Sequence, residues 1–280
     1  MLNVIRRLRT NKLAFIGFLS IVGAILIALF SPLIAPYDPT EMDTPNRFAP
    51  PGNPGHVLGT DEFGRDVLSR IIVGSRVSLL VAAVAVGLAT LAGGSVGLIA
   101  GFIGGRLDNF LMRIVDVIFA IPALMVALGV VGLLGPSAKS VMIALAVAYS
   151  PLFARVVRSA VVGIRSQGYI EAARAMGASN WRILSQDVAP NVLPVFMVQA
   201  TASLAWGILD EASLGFLGLG VQPPTPSWGA MLTTGRQYFY QSPTLPVFAG
   251  LAVFVVVFGF NLFGDGLRDV LDPRAWQRGE

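Results

Sequence analysis

Residues 77–105 read VSLLVAAVAVGLATLAGGSVGLIAGFIGG and contain no charged side chain. A helix needs about 20 apolar residues to cross the hydrocarbon core of a bilayer, so this stretch is long enough to span a membrane. Further uncharged stretches occur along the chain at residues 13–37, 117–138, 188–209 and 237–264. The sequence therefore predicts an all-α integral membrane protein.

The composition agrees with this class. Of the 280 residues, 54% are hydrophobic and 13% are charged, and the mean hydropathy is +0.71. Soluble domains are about 45–50% apolar and about 25% charged. Cysteine is absent, which excludes disulfides, thiolate catalysis and cysteine-bound metals.

Six membrane-spanning helices are expected. Residues 140–154 form a shorter uncharged stretch, which can still cross if Arg155 and Arg158 extend their charged groups to the lipid head groups. The basic start and long apolar run of the first stretch predict an uncleaved helix rather than a signal peptide. The predicted spans are residues 13–35, 77–102, 111–133, 140–160, 190–210 and 245–265.

Residues 212–235 are also uncharged, but their pattern is not that of a spanning helix. Glycines and then Pro223, Pro224 and Pro226 interrupt an apolar part of only about ten residues. We therefore expect a re-entrant or interfacial segment here.

The distribution of basic residues predicts the orientation. Six spans put both termini on one side, and a cytoplasmic N-terminus places most of the 20 Lys and Arg residues inside, as the positive-inside rule requires. The net charge of +4 follows from this asymmetry, so it does not indicate a nucleic-acid partner. Arg65, Arg70 and Arg76 lie outside in this orientation. Neighbouring carboxylates are close enough in sequence to pair with them: Asp61, Glu62 and Asp66.

The cytoplasmic loop at residues 164–190 is long for a protein of this class. Its residues 171–176 are strong helix formers, and Gly177 is placed to stop that helix. A second helical stretch is predicted from Trp181 to Val188, ending at Pro190. The pair can present small residues to another protein or rest on lipid head groups as an amphipathic connector, and the pattern fits both equally.

The segment YIEAARAMGAS at residues 169–179, with Pro190 at the expected distance, resembles the EAA motif of ABC importer permeases. In that family the loop forms a coupling helix that docks into a groove of a cytoplasmic ATPase subunit. The tail here is DVAP at 187–190 instead of Ile-x-Leu-Pro, so no role beyond Pro190 is transferred. The resemblance implies these ATPase-coupling residues: Tyr169, Glu171, Ala172, Ala173, Arg174, Gly177 and Ala178.

Three further segments are similar to the "C"-type permeases of the dipeptide, oligopeptide and nickel importers. They are HVLGTDEFGRDVLSR at 56–70, LGFLGLGVQPPTPSWG at 214–229 and NLFGDGLRDVLDP at 261–273. The first two lie outside, where a solute-binding protein has to dock, although turn formation explains most of their glycines and prolines individually. The docking candidates are Gly59, Thr60, Asp61, Gly64, Arg65, Asp66, Pro223, Pro224 and Trp228.

Three acidic residues are candidates for the substrate path. Asp116 lies inside the third span, where Arg113, three residues earlier, can pair with it, and a structural ion pair is favoured over a path role. Asp210 and Glu211 are expected to end the fifth span outside. There they either face the path and meet a peptide amino terminus or mark the water interface, and the two readings are equal. Asn261 in the sixth span is expected to be a helix-packing contact.

Several activities lack the residues they require. No Gly-x-x-x-x-Gly-Lys-Ser/Thr loop occurs, so the chain is not expected to bind ATP phosphates. His56 is the single histidine, and no catalytic or metal-binding set surrounds it. The main alternative is a secondary transporter driven by an ion gradient, but the sequence shows no convincing internal repeat for one. A membrane enzyme is less favoured still, because no catalytic set is present.

The resemblance also implies the assembly. It points to a MetI-like type I ABC importer permease fold in a bacterial or archaeal cytoplasmic membrane, with both termini cytoplasmic. Residues 1–76 would form an N-terminal transmembrane helix and extracytoplasmic loop, and residues 77–280 a permease core with five spans and the coupling loop. The implied partners are a sister permease in a heterodimer, two ATPase subunits that bind ATP and Mg²⁺, and an extracytoplasmic solute-binding protein. No cofactor, metal or catalytic residue is expected in this chain, and peptides are the commonest cargo of the family.

Overall fold

The structure, a computed structural model, describes residues 12–271. Within this range the chain forms nine helices and a short 3₁₀ turn at Thr44–Asn46. The helices are α1 Lys12–Ile34, α2 Val67–Ile103, α3 Gly105–Phe119, α4 Ala123–Leu134, α5 Ala138–Arg165, α6 Gly168–Ala175, α7 Asn180–Phe216, α8 Trp228–Gln237 and α9 Thr244–Leu271. The predicted all-α membrane fold is confirmed. The terminal arginines that contributed to the orientation, and both termini themselves, lie outside the described residues.

Five of these helices are individually long and apolar enough to cross a membrane: α1, α2, α5, α7 and α9. The third predicted span, residues 111–133, was expected to be one continuous helix, but in the structure it is broken into two. Helices α3 and α4 occupy it and meet at an angle of 84°. Pro122 caps α4, and because a proline disfavours helical backbone in the residue before it, the helix breaks at this point.

Helix α7 is longer at both ends than the sequence predicted. The second stretch of the cytoplasmic loop does not end at Pro190, because Pro190 lies in the first turn of Ala189–Phe216, where its missing N–H is not needed. A π-helical stretch, Ile183–Val188, joins it to Asn180–Arg182. At the outer end the helix runs past Asp210 and Glu211 to Phe216, so these two acids do not end the span.

Helices α2 and α5 make the most extensive contact in the fold. Three glycines of α2 at four-residue spacing lie against the backbone of α5. A Cβ added to Gly93 would lie 2.1 Å from the carbonyl oxygen of Ser150, and one added to Gly97 would lie 2.3 Å from that of Ala154. Gly101 is similarly close to Val161. This small-xxx-small stripe lets the two helices pack closely without a hydrophobic driving force.

The outer ends of the helices are covered by two connections, residues 35–66 and 217–243. Helix α2 already begins at Val67, so the expected division of the chain at residue 76 falls inside this helix. The outer layer and the core therefore share one continuous element.

Candidate functional site

Helix α6 presents the EAA segment on the cytoplasmic side. Its end has the hydrogen bonds of a Schellman motif: the Gly177 N–H donates to the Arg174 carbonyl at 2.9 Å and the Ala178 N–H donates to the Ala173 carbonyl at 3.0 Å. Gly177 has a φ of +82°, a conformation that glycine adopts without strain. The predicted stop at Gly177 is confirmed.

One side chain fastens α6 to the spans. Ile170 is fully buried and packs in a cluster with Val157 and Val161 of α5 and with Ile183 and Val188 of α7. Ile170 therefore connects α6 to two spanning helices.

The structure brings the predicted coupling residues together on and just after α6. Tyr169, Glu171, Ala172, Arg174 and Gly177 are exposed, while Ala173 and Ala178 are half-buried against the cluster around Ile170. The same surface carries two large apolar residues that the sequence analysis did not single out, Met176 at 82% and Trp181 at 75% exposure. These two residues could have been found from the sequence, because they are large apolar residues in a loop that is predicted to lie outside the membrane.

The outer loop contains a buried ion cluster. The Arg65 guanidinium contacts Asp61 at 2.7 Å and Glu62 at 2.6 Å, and Arg70 contacts the same Asp61 at 3.2 Å. The predicted pairing of this basic cluster with neighbouring acids is confirmed for these two arginines. Burial raises the pKa of the Glu62 carboxyl, and the adjacent Asp61 raises it further, although Arg65 and Arg70 act in the opposite direction.

Asp66 organises the junction between this loop and α2. Its carboxylate accepts hydrogen bonds from the Ser69 N–H at 2.8 Å, which caps α2, and from the Ser69 hydroxyl at 2.7 Å. It also contacts His56 Nδ1 at 3.0 Å, and the His56 ring lies against Tyr37. His56 is thus part of the loop's internal structure.

Most docking candidates point inward. Gly59, Thr60, Asp61, Gly64, Arg65 and Asp66 are all buried, so these residues shape the loop rather than form its surface. Gly64 has a φ of +78°, and a Cβ there would overlap the carbonyl oxygen of Asp43. Pro223 and Pro224 are exposed. The buried Trp228 donates its indole N–H to the Ile71 carbonyl at 3.1 Å and its backbone N–H to the Ser78 hydroxyl at 3.2 Å.

Glycines also hold the second outer connection in place. A Cβ added to Gly215 would lie 2.6 Å from the Cα of Gly229, and one added to Gly220 would lie 2.6 Å from the Cα of Gly215. The Thr233 hydroxyl donates to the Gly215 carbonyl at 2.5 Å. The segment predicted to be re-entrant therefore folds back and packs α8 against the outer end of α7.

Two ion pairs join α3 to α5. Arg158 contacts Asp108 through two hydrogen bonds, and Arg155 contacts Asp116 at 2.6 Å. The expected pairing of Asp116 with Arg113 was wrong, because Arg155 of the neighbouring helix approaches Asp116 instead. The sequence predicted that Arg155 and Arg158 extend to the lipid head groups. In the structure their guanidinium groups contact Asp116 and Asp108.

The two acids near the outer end of α7 have different surroundings. Asp210 is half-buried and accepts a hydrogen bond of 2.6 Å from the Tyr149 hydroxyl of α5. Glu211 is fully buried, and its carboxylate lies beside the hydroxyl groups of Ser78 and Ser227. Asn261 is exposed and donates to the Val257 carbonyl of its own helix, which does not support the expected packing role.

The spanning helices form a bundle, and the short surface helix α6 packs against two of its members. The chain belongs to the family of binding-protein-dependent transport system inner membrane components, whose family model matches residues 93–277. Residues 2–51 match the N-terminal transmembrane domain of oligopeptide transport permease C. The expected C-type permease family is confirmed.

Curated relatives agree over almost the whole chain. The chain is 44% identical over 269 residues to the dipeptide transport system permease protein DppC of Alkalihalophilus pseudofirmus, covering 96% of this chain and 88% of the relative. It is 40% identical to the probable D,D-dipeptide transport system permease protein DdpC of Escherichia coli, covering 96% and 90%. The methionine ABC transporter MetNI in an inward-facing conformation contains a chain with the same fold, at 24% identity and a TM-score of 0.60, covering 74% of this chain and 97% of that one.

Family membership establishes the role of the chain at a coarse level. It is a multi-pass inner-membrane permease component of a bacterial binding-protein-dependent ABC importer, and it functions in a complex with ATPase subunits. Such a component carries no ATPase site, and ATP is handled by its partners. A secondary transporter driven by an ion gradient is thereby set aside.

Proposed function

We propose that this chain forms one half of the translocation path of a peptide importer. Its other half would be a sister permease, and two ATPase subunits and an extracytoplasmic solute-binding protein would complete the assembly. The cargo would be dipeptides or short oligopeptides, and ATP hydrolysis would drive their import. The observation that carries the peptide assignment is the 44% identity, over nearly the whole chain, to a dipeptide permease. The division into an N-terminal unit with the outer loop, residues 1–76, and a core, residues 77–280, is part of this proposal.

The coupling mechanism follows from how α6 is attached. When the ATPase subunits close on ATP, they would move α6 through its exposed face around Glu171 and Arg174. Ile170 lies in the cluster shared with α5 and α7, so the movement would pass to both spans. Helix α7 is continuous from Asn180 to Phe216, so a displacement of its cytoplasmic end would reach the outer ends of the helices. The path would open outward to receive a peptide from the binding protein and then inward to release it.

The three acidic path candidates take different positions in this proposal. Asp210 lies half-exposed on the bundle and would face the path. Asp116 is paired with Arg155 near the cytoplasmic side and would contribute charge at the inner mouth. Glu211 is enclosed by Ser78 of α2 and Ser227 at the start of α8 and would meet the path only if α8 moved away.

The outer surface for the binding protein would be the loop that the ion cluster shapes. The exposed residues Val57, Phe63, Pro223 and Pro224 would make the contacts. The buried members of the predicted set, such as Asp61 and Arg65, would hold these residues in position.

Purification of the tagged chain from its native membrane tests the assembly. A sister permease, P-loop ATPases and a binding protein should co-purify, and the complex in proteoliposomes should take up labelled dipeptides only with ATP inside and the binding protein outside. A complex that hydrolyses ATP and recruits its binding protein but takes up no peptide of two to five residues would refute the peptide cargo and leave the importer class intact.

A further inference from the structure

Asp210 is an acidic residue on α7 whose charge no residue within 12–271 neutralises. The two acids of α3 have basic partners: Asp108 contacts Arg158, and Asp116 contacts Arg155. Within residues 12–271, Asp210 makes no salt bridge, and its only hydrogen bond joins Oδ2 to the Tyr149 hydroxyl. The second oxygen, Oδ1, is therefore free to accept a further hydrogen bond.

Tyr149 fixes the direction of this carboxylate. Its ring is buried in a cluster with Val86, Ala89 and Phe153, and its hydroxyl donates to Asp210 at 2.6 Å. A hydrogen bond from a neutral donor holds the carboxylate in place without cancelling its charge. A binding group held in this way by packing is preorganised and needs little ordering when a ligand arrives.

The surface beside Asp210 offers a second contact. Trp206 precedes Asp210 by four residues on the same helix, so the two side chains are neighbours on one face of α7. The Trp206 indole is 61% exposed. An aromatic face attracts ammonium ions, and tryptophan does so most strongly. An anionic oxygen and an open indole face thus lie one turn apart.

This face is unsuited to lipid. An acidic side chain within a membrane span is costly next to acyl chains, and such residues face a protein interior or a water-filled cavity. Glu211 is also without a basic partner among the described residues, but it is fully enclosed and no ligand can reach it. Asp210 is the accessible one of the two neighbouring acids.

We infer that Asp210, Tyr149 and Trp206 form a site that receives the ammonium group of a substrate as it passes through the membrane. Asp210 and Trp206 contact the ammonium group, and Tyr149 positions Asp210. The inference rests on the proposed function, since a peptide supplies such a group at its N-terminus or on a lysine side chain. One carboxylate without further charged ligands binds weakly enough to release the substrate, which transport requires.

Charge selectivity measured in the complete importer tests this site. The complex is reconstituted with ATP inside, and uptake is measured at saturating concentrations of peptide-loaded binding protein, so that the affinity of that protein does not enter. Ala-Lys and Ala-Glu are compared first. Asp210→Asn should lower the ratio of Ala-Lys to Ala-Glu uptake roughly fivefold, the effect of removing one charge contact in a partly hydrated site. Asp210→Glu should keep the wild-type ratio.

Further variants separate this role from a structural one. Tyr149→Phe and Trp206→Leu should each lower the ratio, by less than Asp210→Asn. Ser213→Ala, on the next turn of α7, should leave it unchanged. A structural role would lower the uptake of every peptide alike, including Ala-Ala and N-acetyl-Ala-Ala. The inference is overturned if Asp210→Asn changes neither the ratio of Ala-Lys to Ala-Glu nor the ratio of Ala-Ala to N-acetyl-Ala-Ala. If Asp210→Asn does not assemble, the same two unchanged ratios in both Tyr149→Phe and Trp206→Leu overturn it.

A second peptide pair identifies which ammonium group is bound. Selective loss of Ala-Ala uptake relative to N-acetyl-Ala-Ala in Asp210→Asn would assign the site to the peptide N-terminus. A loss confined to Ala-Lys would assign it to cationic side chains. If the wild-type importer takes up none of these peptides, the proposed peptide cargo is refuted. If the wild-type importer takes them up and Asp210→Asn does not change its selectivity, only the Asp210 site is refuted.

Discussion

Arg158 holds Asp108 through two hydrogen bonds, from Nε to Oδ1 at 2.5 Å and from Nη2 to Oδ2 at 2.6 Å. This contact ties α5 to α3 in the part of α5 that leads to α6. Arg155 and Asp116 join the same two helices, but their side chains are 43% and 49% exposed, whereas that of Asp108 is 11% exposed. The two pairs thus differ in the burial of the acid and in the number of hydrogen bonds, while Arg158 is 37% exposed and resembles Arg155.

Loss of the Asp108 charge should destabilise the protein more than loss of the Asp116 charge. Asp108→Asn leaves the bidentate contact of Arg158 incomplete at a largely buried site, and we expect a cost of about 1–3 kcal/mol. Asp116→Asn removes an exposed pair, which is worth at most about 1 kcal/mol. Thermal unfolding of the two detergent-solubilised variants measures the difference. Equal melting temperatures would show that burial does not distinguish the pairs.

The contact between Gly215 and Gly229 should tolerate no additional methyl group. Gly215→Ala would place a Cβ 2.6 Å from the Gly229 Cα, and overpacking of this kind costs about 1–3 kcal/mol. We expect α8 to loosen and cleavage by trypsin after Arg236 to accelerate. Gly132→Ala in α4 is the control, since no atom lies within 4 Å of its Cβ position, and it should leave cleavage unchanged. If trypsin cleaves Gly215→Ala at the wild-type rate, the close packing of α8 against α7 is contradicted.

The end of α6, the proposed coupling helix, should be sensitive to backbone conformation. Gly177 has open space around it but a φ of +82°, so Gly177→Ala is strained by roughly 1–2 kcal/mol and should distort the exposed face of α6. We expect normal membrane insertion and a several-fold loss of ATP hydrolysis stimulated by the peptide-loaded binding protein. Gly168→Ala, at the first position of α6 with open space and no positive φ, should retain that stimulation. Glu171→Lys should reduce it, and wild-type stimulation in both Gly177→Ala and Glu171→Lys would remove the coupling assignment.

The buried Glu62 should make stability depend on pH in a defined direction. Burial, and then the nearby Asp61, raise the pKa of Glu62 above its ordinary value of 4.5, so ionisation is harder in the folded protein than in the unfolded chain. Stability from this residue is therefore present below pH 4.5 and is lost as the pH rises through the raised pKa. Glu62→Gln keeps an acceptor for Arg65 but cannot ionise. Its melting temperature relative to the wild type should increase between pH 4.5 and 7, and a decrease would refute the direction of the pKa shift.

Much of the fold and the end of helix α6 could be predicted from the sequence, because membrane insertion and helix termination depend on residues that are close together in the chain. Long uncharged stretches have to become helices in hydrocarbon, and five of the six predicted spans are single helices that overlap the predicted segments, although α2 and α7 begin about ten residues earlier. Gly177 ends α6 as expected, because a left-handed backbone conformation is a property of one residue. The break between α3 and α4 was also signalled locally, by Pro122, but its 84° angle was not.

Contacts between distant residues were decided only by the tertiary structure. Asp116 pairs with Arg155 rather than Arg113, because packing of α3 against α5 brings the more distant arginine closer. Asp61 and Arg65 are charged residues in a loop, and such residues are usually exposed. Here the loop folds around them and removes them from contact with water. Tyr149 and Asp210 belong to different helices, and no pattern in either helix indicates their hydrogen bond. The sequence by itself determined which segments lie in the membrane, since hydrophobicity is a local property; which charges are neutralised and which remain open to a substrate depends on how the helices pack.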